Sequence, residues 1–286
     1  MRKFTLCICI VGAVVTGSAP ALGQWIEPPG TGWAHLQVSH HETEMRFDED
    51  GETVPYFTAN ARSVTTTVRL SGVLGLVRGL DVWADVPYHR LEFNDAIQNR
   101  RSTGLGDPRL YIRAGPSIAG VDDLPITIAL RAGSKFPVGT FNVDAEVIPL
   151  SEGQRDWELL LELGKSLHPW PAYVMAWFGY RWRTTNETTG LKPGNERFFY
   201  AAAGGDIRPF TWKLSVDGYF GRPTQFSGLV LGEERRALVQ LIPTVGMQVG
   251  PGALEAGARV PVHGRSVPAG VTFTLGYFLT WENAFW

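Results

Sequence analysis

The chain has 286 residues, 44% of them hydrophobic and 12% aromatic, with 33 glycines. Helical membrane proteins are far more apolar and disordered chains far less, which excludes both classes. A formal net charge of −2 provides no polycationic footprint, so no nucleic-acid partner is expected.

Residues 1–23 read as a secretory signal peptide. Arg2 and Lys3 form a basic start, Leu6 to Val15 an apolar stretch too short to span a bilayer, and Ala21-Leu22-Gly23 a small-residue cleavage site. Both cysteines, Cys7 and Cys9, lie inside this leader, so the expected mature chain is exported without disulfides. Its loss leaves 24 basic against 28 acidic residues. Nothing in residues 24–286 resembles a linker, and the stretch is read as one domain.

From Trp33 onward the chain consists of runs that are apolar at every second position, near 33–47, 62–76, 80–92, 105–117, 125–137, 155–166, 172–183, 196–207, 211–222, 235–249, 253–263 and 269–281. Successive side chains of a strand point to opposite faces, so period two means one greasy face and one polar face. In the third run Leu80, Val82, Ala84 and Val86 alternate with Asp81, Trp83 and Asp85. In the sixth, Trp157, Leu159, Leu161 and Leu163 alternate with Glu158 and Glu162, and Leu160 breaks the rule. In the last, Val271, Phe273, Leu275, Tyr277, Leu279 and Trp281 share one face.

The breaks between runs are of two kinds. Short ones fall at 77–79, 121–123, 168–171, 208–210 and 250–252, and long ones at 48–60, 94–103, 140–154, 184–195 and 223–234. Strands of this length joined by alternating tight turns and long loops predict an all-β fold: a transmembrane antiparallel up-and-down β-barrel of about 12 strands in the outer membrane of a Gram-negative-type bacterium. In such barrels the short turns are periplasmic and the long loops extracellular. Outward aromatic residues near the run ends, Tyr88, Trp157, Trp182, Trp212 and Trp281, are the expected interfacial girdle, since Tyr and Trp combine an apolar body with a polar tip. Outer-membrane lipid is therefore the first expected partner, and the C-terminal strand the contact for the barrel-assembly machinery.

The same frame assigns the interior. Arg69, Asp81, Asp85, Arg109, Arg113, Arg131, Lys135, Glu158, Glu162, Arg181, Arg183, Lys213, Asp217, Glu255 and Arg259 are the expected lumen-lining charges, because ionisable groups at membrane depth must face water or one another. Trp83, Tyr111, Trp177 and Tyr219 also face inward. Two readings stay open: opposing basic and acidic walls that set a field across a hydrated pore, or ion pairs that fill a small lumen.

Several local motifs carry a family resemblance. They are Gly104-Leu105-Gly106-Asp107, Lys135-Phe136-Pro137-Val138-Gly139, Gly153-Gln154-Arg155-Asp156, Leu163-Gly164-Lys165-Ser166, Gly179-Tyr180-Arg181 and Pro193-Gly194-Asn195-Glu196, with Pro169, Pro171 and Tyr173. In these the chain resembles the outer-membrane barrel family named for the meta-pathway of phenol degradation, over residues 60 to 220. The resemblance implies a barrel of about a dozen strands and uptake of small, in part aromatic, compounds.

A channel for passive uptake of small molecules is the expected function. The alternatives are a plugged barrel that binds through its long loops and an outer-membrane hydrolase. No cofactor, metal site or catalytic residue is expected. His40-His41-Glu42 is the one dense titratable motif, but adjacent residues of a strand point to opposite faces. No Gly-x-Ser-x-Gly is present. Asp48-Glu49-Asp50-Gly51-Glu52 resembles the start of a calcium loop without its distal ligands and reads as a solvated hairpin tip.

Overall fold

The computed structural model describes residues 25–57, 59–141, 147–230 and 235–282. The expected leader, residues 1–23, and the terminal Phe285 and Trp286 lie outside these residues. The barrel wall consists of β1 (Gly32–Thr43), β2 (Arg62–Val77), β3 (Leu80–Asn94), an interrupted β4 (Asn99–Leu105 and Arg109–Ala114), β5 (Thr127–Lys135) and β6 (Asp156–Ser166). It continues with β7 (Ala172–Arg183), β8 (Glu196–Ile207), β9 (Phe210–Gly221), β10 (Ala237–Val249), β11 (Gly252–Arg265) and β12 (Thr272–Trp281). Each strand pairs antiparallel with its sequence neighbours. β1 pairs with both β2 and β12, which closes a barrel of twelve strands. Closure leaves no unpaired edge in the lipid.

The alternation is what makes these segments strands rather than helices, and it sorts their side chains. Leu36 and Val38 of β1, Leu159 and Leu161 of β6, and Phe273 and Leu275 of β12 are exposed on the outer wall. Tyr88, Trp157 and Trp182 are exposed toward the long-loop end and Trp212 at the short-turn end. Trp281 is half-buried, its ring lying across Gly32 of β1.

Three expectations about the breaks are corrected. The first run, expected to reach residue 47, leaves the wall after Thr43. Met45–Phe47 pairs instead with Thr53–Pro55 and Val267–Ala269 in a separate three-stranded sheet. The expected long break at 94–103 is a tight turn in which Asp95 Oδ1 accepts the N–H groups of Ile97 and Gln98 at 2.8 and 2.9 Å. β4 therefore begins at Asn99, not 105, and is split at Asp107-Pro108, where proline has no N–H to give the ladder. The expected short break at 121–123 is longer, starting with a 3₁₀ turn over Pro116–Ala119.

Candidate functional site: a half-filled lumen

Along β3 to β8 acidic strands flank basic ones: β3, β6 and β8 carry inward carboxylates, and β4, β5 and β7 inward cations. Asp81 and Asp85 stand on β3, Arg109 and Arg113 on β4, Arg131 and Lys135 on β5, Glu158 and Glu162 on β6, and Arg181 and Arg183 on β7. Neighbouring strands lie about 4.8 Å apart, so these groups pair sideways and do not face each other across a pore. Arg113 Nη2 is 2.6 Å from Asp81 Oδ2, and its Nη1 is 3.2 Å from Glu162 Oε2. Arg131 Nε is 2.6 Å from Glu162, while Arg181 and Arg109 reach Glu158 at 2.8 and 3.4 Å. Arg69 and Ser71 of β2 both bond Asp85 at 2.8 Å. Arg181 also pairs with Glu196 of β8. The opposing walls allowed by the sequence do not form in this half.

Aromatic packing completes the filling. Tyr111, Leu160 and Phe198 are buried together inside the barrel, with Trp83, Trp177 and Tyr219 against them. Leu160, the residue that broke the alternation, is thus an inward core residue. The Arg131 guanidinium lies 4.3 Å from the Trp83 ring centre and 5.1 Å from that of Tyr111. Cation–π contact offsets part of the cost of burying a guanidinium.

The other half, β9 to β12 and β1, is lined by smaller groups: Ser215, Thr244, Gly257, Thr274 and Gly276. Its charges pair loosely. Arg259 is 3.3 Å from Asp217, Lys213 is 4.0 Å from Glu255, and His35 is 3.8 Å from the same Glu255. Between the two halves runs a cavity of about 630 Å³. Aromatic residues line it (Trp33, Trp83, Trp177, Phe198 and Phe278), and so do polar and charged ones, among them Lys213, Asp217, Thr244, Glu255 and Arg259. Of the sequence-assigned interior charges, Asp81, Lys135, Glu162 and Arg183 do not border this cavity. They are buried as members of the ion pairs.

Both mouths are narrowed by segments that alternation does not reveal. At the short-turn end the strap Trp25–Thr31 enters the lumen. Arg113 Nη2 donates to Trp25 O at 2.9 Å, and Glu27 N donates to Asp81 Oδ2 at 3.0 Å. The Trp25 ring meets Tyr173 edge-on at 6.4 Å, and Trp25 and Glu27 border the cavity. Gly75 of β2 permits this approach: a Cβ there would stand 1.9 Å from Pro28 O. Burial pushes the Glu27 carboxyl above its usual range against the opposing pull of Thr31 and Arg113. At the long-loop end Phe47, Val267 and Ala269 of the small sheet pack on inward Tyr219 and Leu238. The Phe47 ring lies over Gly264, where a Cβ would meet it at 2.2 Å.

The loop after β5 is pinned at its return. Glu152 binds Lys135, Arg183 and Arg236, and although burial opposes it, Arg183 and Lys135 hold its carboxyl below the usual carboxylate range. Asp107 and Asp156 also contact Lys135, at 3.4 and 3.1 Å. These carboxylates sit at strand ends, where turn chemistry masked them in the sequence. The Asp48–Glu52 segment is the tip of the small sheet, Asp48 Oδ1 accepting from Asp50 N and Glu52 N at 3.0 and 2.8 Å. His40 bonds Thr66 on the outer face at 3.0 Å, while His41 occupies the opposite face of β1. Among the described residues no group of three or more His, Cys, Asp or Glu is placed to hold a metal ion.

Residues 45–277 match the family described as "Putative MetA-pathway of phenol degradation". The chain belongs to this family. Its barrel is similar to an outer membrane channel from Pseudomonas putida F1, with a TM-score of 0.73, 16% identity, and coverage of 89% of this chain and 97% of that one. Looser overlaps include the β domain of the Bordetella autotransporter BrkA (TM-score 0.48, 12% identity, 88% and 100% covered). The NalP translocator domain from Neisseria meningitidis is another (TM-score 0.48, 9% identity, 90% and 91% covered). No curated protein sequence matches the chain. The fold and the family place this member of the phenol-degradation barrels in the outer membrane.

Proposed function

We propose that the protein is a passive outer-membrane channel for small solutes that combine an aromatic body with a polar or charged group. The observation that carries this reading is the cavity of about 630 Å³, lined by aromatic rings and charged groups together. That volume suits a small molecule, and small-molecule sites are largely apolar with a few placed polar groups. Rings of the solute would slide along Trp33, Trp83 and Trp177 while its polar group exchanges between Lys213, Glu255 and Arg259. The loosely paired charges of β9 and β11 serve this role better than the locked pairs of β3 to β8. A weakly held group binds a passing solute without trapping it.

In this reading the leader, residues 1–23, is removed on export, and β12 is the strand presented to the assembly machinery. His40 and His41, on opposite faces of β1, have no role in catalysis. Planar-bilayer recording with the purified protein tests the channel. We expect a small conductance that falls when a phenolic acid occupies the lumen, and faster entry of that acid than of a sugar of similar size into protein-loaded vesicles. No conductance above background in any salt would favour the plugged barrel, whose binding resides in the long loops.

A further inference from the structure

On four strands the outward residue on the long-loop side of an aromatic residue is an arginine. The pairs are Tyr88 and Arg90 on β3, Trp157 and Arg155 at the start of β6, Phe199 and Arg197 on β8, and Phe220 and Arg222 at the end of β9. Chain direction reverses between these strands and the order of each pair reverses with it. The arginine thus always lies toward the long loops. Two residues along a strand return to the same face, so the backbone of each arginine stands about 7 Å beyond that of an interfacial ring on the lipid side of the wall.

Three of these arginines are gathered over β6 to β9. Arg197 lies in register with Tyr180 on one side and Phe220 on the other. Arg222 N donates to Asn195 O at 2.9 Å, which sets Arg222 beside the same strand one step higher. Arg155 holds its guanidinium 4.9 Å from the Phe136 ring and 5.7 Å from the Trp157 ring, flat against the outer wall. All three are exposed, and among the described residues none forms an ion pair. The arginines over β2 to β4 differ: Arg90 and Arg101 share Glu92, and Arg62 pairs with Glu42.

We propose that the outer wall of β6 to β9 at the long-loop end binds the phosphorylated glycolipid of the outer leaflet. Arg155, Arg197 and Arg222 take its phosphates, and Trp157, Tyr180 and Trp182 take the base of its acyl chains. A guanidinium presents a planar fork of donors that matches phosphate oxygens, and charge at this depth sits at the headgroup level, where its cost in lipid is smallest. The rings on the same wall supply an amphipathic shelf at this boundary. This site is independent of what passes through the lumen.

Titration of the purified barrel in neutral micelles with diphosphoryl lipid A, read by native mass spectrometry, tests the proposal. The triple variant Arg155→Gln, Arg197→Gln, Arg222→Gln should bind about tenfold or more weakly. The matching triple lysine variant should keep most of the binding, because the charge remains. Lys165→Gln, on the outer wall at the short-turn end, should bind like the wild type. The mobility of unheated protein on a gel verifies that each variant is folded, and its conductance should equal that of the wild type. A smaller loss in the folded glutamine variant, or equal binding of dephosphorylated lipid A or of phosphatidylglycerol, would overturn the assignment.

Discussion

The Arg113 guanidinium is shared by two carboxylates of different strands, 2.6 Å from Asp81 of β3 and 3.2 Å from Glu162 of β6, all three buried. Nη2 also donates to Trp25 O, so one side chain ties the barrel wall to the strap. Removing one member of a buried ion pair leaves the other uncompensated, at a cost of about 3–5 kcal/mol. Arg113→Met should therefore lower the stability of the folded barrel by about that amount, measured by urea unfolding in lipid vesicles. The double variant Arg113→Met with Asp81→Leu should lose less than the sum of the single changes. Additive losses would mean that the pair is not coupled.

Gly75 and Pro28 meet at a distance that no Cβ allows, 1.9 Å from Pro28 O to the ideal position. Gly75→Ala should expel the strap while leaving β2 in the wall, since alanine is compatible with a strand. The expected result is a larger single-channel conductance. An unchanged conductance in Gly75→Ala would show that the strap does not restrict the pore.

Glu27 gives the strap a pH dependence with a definite sign. Its carboxyl is pushed above the usual 4.5 mainly by burial, next to Asp81 and opposite Arg113 and Thr31. A raised folded-state value favours the docked strap when the carboxyl is protonated, and that contribution is lost as pH rises through the folded-state value. Acidification toward the usual carboxylate range should thus reduce conductance. Glu27→Gln should flatten the profile. A rise in wild-type conductance on acidification would contradict the docked geometry.

Lys213 is the inward cation held most loosely, 4.0 Å from Glu255 and about a third exposed. Lys213→Glu should shift the reversal potential in a salt gradient toward cation preference with little loss of stability. The same change at Arg131, pinned between Glu162 and Trp83, should instead impair folding. Equal effects at both positions would mean that the two halves of the lumen are not distinct.

Much of the barrel is legible in the chain because lipid imposes a period-two code on every strand. Ten of the runs lie within a few residues of the observed strands, and the frame that placed Leu161 outside placed Glu162 inside. The first and fourth runs failed for local reasons: the chain leaves the wall at Glu44, and Pro108 cannot continue a ladder. The strap escaped notice because Trp25–Thr31 neither alternates nor forms a strand. His35 could have been found, since it shares the inward frame of β1 with Trp33 and Gln37.

Which face each residue takes follows from alternation alone, because a strand in a bilayer has one side toward hydrocarbon and must put its charges on the other. Which charges meet does not follow, because pairing depends on the register and stagger between strands remote in sequence. Asp81, Arg113 and Glu162 are separated by dozens of residues and become partners only when the sheet closes. The same closure brings Trp25 to Tyr173 and Phe47 to Gly264, converting an interior of known composition into a lumen that is filled on one side and open on the other.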